Sequence, residues 1–92
     1  MTRQYELMVL LKPEFDAESI KKREEVVKKL LGDGVTLKEV TSLGKKQLTY
    51  PIKKQTDAVY LLAHIEAEKL SVGDIEKKSK LVEEVLRWLV VA

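Results

Sequence analysis

Cysteine and asparagine are both missing from this 92-residue chain, and histidine occurs once. Without cysteine there are no disulfides, no thiolate metal ligands and no thiol nucleophile. The single histidine, His64, falls short of the three or four convergent ligands a metal site needs. It also leaves Ser19, Ser42, Ser71 and Ser79 with no plausible partner for a nucleophilic triad. Glycine is scarce, and Gly32-Asp33-Gly34 neither follows a strand nor opens a helix, so it is no phosphate-cradling loop. The acidic pairs Glu24-Glu25 and Glu83-Glu84 are adjacent along the chain and do not face one another across a cleft, as acid–base work would require. The apolar runs, such as Trp88 to Ala92, are far too short to span a membrane. At the N-terminus Glu6 interrupts any leader-like pattern, and no small-residue cleavage site follows. The expectation is a soluble cytoplasmic protein that is not an enzyme. It would have no cofactor, no metal, no membrane and no small-molecule substrate.

Apolar residues make up 45% of the chain and charged residues 35%. That balance suits one folded domain over residues 1–92 with a small core. The net charge of +2 is too small to identify a partner, but its placement is uneven. From Lys38 to Asp57, five lysines stand against Glu39 and Asp57. The segment is therefore +3 and the remainder −1.

Alternation with period two marks a strand over Arg3 to Leu11, ended by Lys12-Pro13. Both of its faces are fairly apolar, which predicts a central position. Asp16 is the expected helix N-cap, with Ser19 and Ser71 also suited to helix starts. The first helix is expected to run to about Leu31, with Ile20, Val27, Leu30 and Leu31 as its apolar face and Val26 at the edge. Glu18–Lys22, Glu24–Lys28 and Glu25–Lys29 have ion-pair spacing, and Gly32 suits the residue after the helix. Val35 to Ile52 is extended, but its apolar parity switches near Leu43-Gly44, which predicts a β-bulge. Pro51 makes this an edge strand. Lys53 to Asp57 is the expected turn, followed by a strand over Ala58 to Ala67. A second helix is expected from Ser71 or Val72 to about Leu81, with Val72, Ile75 and Leu81 roughly in helical period. Val85 to Val91 is the last strand.

The order β-α-β-β-α-β is the α+β, ferredoxin-like arrangement: two helices on one face of a four-stranded antiparallel sheet. Leu7, Val9, Leu11, Val59, Leu61, Ala63 and Ile65 should face the helices, with Leu86, Trp88 and Val90 from the last strand. The opposite face should carry Glu6, Met8, Leu10, Tyr60, Leu62, His64, Arg87 and Leu89. Met8, Leu10, Tyr60, Leu62 and Leu89 would form an apolar patch of the kind that marks a partner surface. With only Tyr60 outward on the central strands, base stacking on this sheet is not the expected mode. Lysines on the β2–β3 ribbon suit phosphate contacts, although lysines on an edge strand also guard against aggregation. The fold alone licenses no function. An acylphosphatase-like enzyme would need a catalytic asparagine. A free-standing oligomerisation or regulatory domain would self-associate and ignore RNA.

The stretch Leu43-Gly44-Lys45-Lys46-Gln47-Leu48-Thr49-Tyr50-Pro51-Ile52 resembles the signature of the bacterial small-subunit (30S) ribosomal protein six family. That signature is a Leu or Trp before Gly, two basic residues, then Leu-x-Tyr-Pro-Ile. Tyr5-Glu6, Pro13, Asp16, Val85-Leu86-Arg87 and Leu89-Val90-Val91 agree in order along nearly the whole chain. The resemblance implies a structural constituent of the small subunit in the cytoplasm. It also implies that the protein pairs with ribosomal protein eighteen and binds the central domain of small-subunit ribosomal RNA during assembly. Carried over by position, the RNA contacts would be Lys45, Lys46, Arg87 and Arg3, with Lys53 and Lys54 beside them. Family members often have Arg at the basic pair, and Lys gives up bidentate phosphate geometry. Members also often carry a charged tail after the last strand. The sequence here stops at Ala92, so tail contacts are not expected.

Overall fold

The computed structural model describes residues 2–31 and 34–91. Its elements are β1 (Arg3–Leu11), α1 (Ile20–Leu30), β2 (Val35–Ile52), β3 (Gln55–Ala67), α2 (Val72–Ser79) and β4 (Val85–Val91). The four strands form one antiparallel sheet in the order β2-β3-β1-β4. This is the expected ferredoxin-like arrangement, with β1 central and β2 at an edge. The core lies between sheet and helices. Leu7, Val9 and Leu11 of β1, Leu61 and Ile65 of β3, Val27 and Leu30 of α1, and Ile75 of α2 are fully buried.

Both helices start where a serine caps them. Ser19 Oγ accepts from Lys22 N, and Ser71 Oγ accepts from Asp74 N, each at 3.3 Å. Asp16 is not the cap. Its Oδ1 accepts from Glu18 N at 3.3 Å in a turn ahead of the helix, because a short polar side chain satisfies its own backbone two residues on. Ile20 is consequently the first helical residue and lies 62% exposed, not on the core face. Lys22 pairs with Asp16 at 3.8 Å and not with Glu18. The Glu24–Lys28 and Glu25–Lys29 ion pairs are absent among the described residues. The expected role of Gly32 lies outside those residues.

Helix α2 ends earlier than its sequence period suggests. Leu81 N donates to Lys78 O and Val82 N to Ser79 O, which are three-residue bonds. A tightened turn rotates successive side chains faster than an α-helix does. Leu81 is thereby thrown outward, 85% exposed, while Val82 enters the core; Val72 is exposed too.

In β4 the register slips between Leu10 and Leu11, so that Leu10 faces Arg87 while Leu11 faces Val85. Leu86 is the extra residue. It joins Leu10 and Ala58 on the face away from the helices, which corrects its expected inward position. Trp88 does point inward: its Nε1 donates to Ser79 Oγ at 3.2 Å, and the ring packs against the helix-side core.

Truncating a fully buried side chain removes apolar burial and leaves a cavity. Leu61→Ala is expected to cost about 2–5 kcal/mol in urea unfolding. Leu81→Ala should change stability by less than about 0.5 kcal/mol. Equal effects would contradict this placement of the core.

Candidate functional site

The basic residues of β2 are distributed by its bulges. The β2–β3 pairing slips between Leu37 and Glu39, again between Ser42 and Gly44, and again near the tip. The second slip is the bulge expected at Leu43-Gly44. Gly44 has φ +88°, and a Cβ there would meet nothing within 4 Å. The glycine is needed for its backbone conformation, not for space. Just past it, Lys45 pairs with Val59 and Lys46 with Ala58. Neighbouring strand residues point to opposite faces. Lys45 therefore lies on the helix side of the sheet, in a groove shared with Arg23, Ser42 and Phe15. Lys46 lies on the other side, its Nζ 5.4 Å from the centre of the Tyr60 ring, a favourable cation–π distance. The two lysines share one edge, but they straddle it.

The turn is shorter than expected, because β3 begins at Gln55, paired with Ile52. Lys53 and Lys54 form the whole two-residue loop, with φ of 49° and 68°. Positive φ at both central positions is the type I′ hairpin turn, where Asn and Gly are the favoured residues. For lysine this conformation costs about 1–2 kcal/mol per residue.

The tip of this hairpin extends past the end of β1 and folds over the face away from the helices. Leu48 and Ile52 pack there with Tyr60 against the buried trio Leu10, Ala58 and Leu86. Two polar contacts pin the tip to β4. Lys53 Nζ donates to Val85 O at 3.1 Å, and Arg87 Nη1 donates to the Tyr50 hydroxyl at 3.3 Å. In a flat sheet, strands three places apart would be separated by about 14 Å, so these contacts require the curl.

Among the sequence-predicted residues, the fold thus gathers Lys45, Lys46, Lys53, Lys54 and Arg87 at one end. Arg3 is not among them. It is exposed opposite Ala67, eight residues along β1 and so roughly 26 Å away. Lys38, though part of the basic segment, is paired with Glu66 at 3.0 Å. The Thr2 hydroxyl, donating to Glu66 at 2.8 Å, and then the Lys38 ammonium hold the Glu66 carboxyl below its usual range. On the apolar patch, Met8, Tyr60 and Leu62 are half-buried and Leu89 is 58% exposed. Leu10 has the expected parity but is only 9% exposed, because the folded hairpin covers it. It is therefore not available to a partner. Arg23 escaped the sequence reading. It sits on α1, far from Lys45 in sequence, and only the packing of α1 beside β2 brings them to one groove. Among the described residues, no three His, Asp or Glu side chains converge as metal ligands.

The model of the family described as ribosomal protein S6 matches residues 4–92. This chain belongs to the ribosomal protein S6 family. The small ribosomal subunit protein bS6 of Mycobacteroides abscessus is 33% identical over 90 residues, covering 97% of this chain and 94% of that protein. The corresponding protein of Campylobacter lari is 31% identical over 90 residues, covering 97% of this chain and 73% of its own length. That of Koribacter versatilis is 30% identical over 92 residues, and this chain spans only 63% of its length. The crystal structure of 30S ribosomal protein S6 from Thermotoga maritima shares the fold. Its TM-score is 0.77 at 22% identity, over 99% of this chain and 87% of that one. The S6 family is structural and non-catalytic, with its members in the cytoplasmic small ribosomal subunit. No helix among the described residues is long and apolar enough to cross a membrane.

Lys54→Gly should relieve the backbone strain, offset in part by the freer unfolded chain, for a net gain of about 0.5–1 kcal/mol. Lys54→Gln, which keeps the strain, should leave stability near the parent value. Thermal unfolding of both variants tests this; a glycine variant no more stable than the glutamine one would contradict the strained turn.

Proposed function

We propose that this S6-family chain is an assembly protein of the small subunit that binds the central domain of its ribosomal RNA together with ribosomal protein eighteen. The observation carrying this reading is the hairpin turn. Its two left-handed positions, which favour Asn and Gly, are both occupied by lysine. Strain retained at a surface turn calls for a functional reason, and two ammonium groups beside Lys45, Lys46 and Arg87 provide one. Phosphate contacts of this kind give affinity and position without reading sequence. Lys45 and Lys46 straddle the β2 edge, so a backbone lying along that edge is contacted from both sides. Arg3, at the far end of the sheet, would meet a separate stretch of RNA. The partner protein is assigned to Met8, Tyr60, Leu62 and Leu89, the accessible part of the apolar patch.

The exposed Leu89 and Val91 of β4, an edge strand, favour one rival reading, a free-standing domain that dimerises without RNA. A titration with a central-domain RNA fragment, with and without protein eighteen at several salt concentrations, separates the two. Binding that needs the partner and weakens with salt is expected. Lys45→Ala plus Lys46→Ala should weaken it further and flatten the salt dependence by about two phosphate contacts. Self-association with no RNA binding under any condition would replace this reading with the rival one.

A further inference from the structure

Arg23 Nε is buried and has no hydrogen-bond partner among the described residues. Arg23 makes no ion pair there either, and nor does Lys45. A cationic donor removed from water without a partner is destabilising, and such an atom calls for an explanation. Arg23 lines the groove between the β1–α1 loop and the bulged part of β2, and on its other side a second groove that includes Glu24 and Glu39. Lys45 lines the first groove, as do Ser42, Gly44, Asp16 and Glu18. Asp16 is engaged with Lys22 and with Glu18 N. Ser42 Oγ accepts from Gly44 N at 3.3 Å.

We infer that Arg23 and Lys45 together form a phosphate-binding notch on the helix side of the sheet, taking a phosphodiester of the RNA that follows the β2 edge. The inference rests on the RNA-binding reading above and adds a residue to it. Guanidinium charge is delocalised over all three nitrogens, so an anion at its open edge compensates for the buried, unpaired one. The fork supplies the paired geometry that the lysines at the basic pair lack. The Gly44 bulge is what turns Lys45 toward this side. Without it, Lys45 and Lys46 would exchange faces. Glu18 lines the groove as well, so the notch suits a single phosphate and not a cluster of them.

The test uses the full chain with protein eighteen and the central-domain RNA fragment, read by fluorescence anisotropy at several salt concentrations. Arg23→Gln is expected to weaken binding about ten-fold and to lower the salt slope by about one contact. Its unfolding temperature should be unchanged or raised, since the lost donor was unpaired. Arg23→Lys should keep the salt slope but recover only part of the affinity. Arg23→Gln combined with Lys45→Gln should weaken binding by less than the product of the single effects, because both side chains hold one phosphate. Parental affinity and slope in Arg23→Gln, with Lys46→Ala still weakened, would overturn the notch and leave RNA binding intact. Should the parent protein itself ignore the RNA, both inferences fall. If Arg23→Gln does not fold, the Arg23→Lys result decides: full parental affinity rejects the paired geometry.

Discussion

An eighteen-residue edge strand must bury apolar side chains on opposite faces of the sheet at its two ends. Val35, Leu37 and Val40 pack with the helix-side core, while Leu48 and Ile52 pack on the other side. A regular strand keeps one parity throughout, yet Val40 shares a face with Val35 and Leu37 and not with Leu48 and Ile52, so β2 has to break register once before Val40 and once after it, around Lys38 and again at Leu43. Each added residue also bends and twists the strand. The accumulated bend carries the β2–β3 tip over the sheet, where Lys53 and Tyr50 reach β4. The curled hairpin and the apolar cluster beneath it follow from these breaks, and the break at Leu43 sets which of Lys45 and Lys46 faces the helices.

The same bend divides the face away from the helices. Near the tip it is closed over Leu10, Ala58 and Leu86; further along, Met8, Leu62 and Leu89 stay accessible. Positive charge collects around the closed part, and apolar surface remains on the open part. A protein partner and an RNA backbone could thus occupy neighbouring regions of one small domain without competing for the same side chains. Lys53 has two roles in such an arrangement. Its ammonium holds the tip to Val85 O, yet it belongs to the basic group. Nζ carries three donors, so one bond inside the fold leaves others for an anion.

The topology was legible because β1 and β3 alternate cleanly and the helices carry cap residues. The position of the Gly44 bulge was also legible, but the earlier break near Lys38 was not, and the apolar residues after the bulge turned out to face the other side of the sheet. The features that escaped are those in which one added residue or one tightened turn changes a side chain's direction. At Leu86 the slip against β1 leaves no mark in a run of apolar residues. At Leu81 and Val82, two aliphatic neighbours compete for one core position, and the three-residue bonds decide in favour of Val82. Asp16 and Ser19 are both good caps, and local hydrogen bonding chose the serine. Of the basic residues, the group on β2, its hairpin turn and β4 followed from sequence, but its division between two faces did not. Arg23 could not be found that way, because its nearness to Lys45 is purely tertiary.

The claim that RNA follows the β2 edge, in contact with both faces, is tested most directly by backbone amide NMR. The labelled protein would be titrated with the central-domain RNA fragment in the presence of protein eighteen. The predicted result is that Ser42, Gly44, Lys45, Lys46, Lys53 and Lys54 shift together, with Arg23 on α1 following them and the outer surface of α2 silent. Shifts confined to the lysines of the helices, such as Lys28, Lys77 and Lys78, with β2 unchanged, would contradict it.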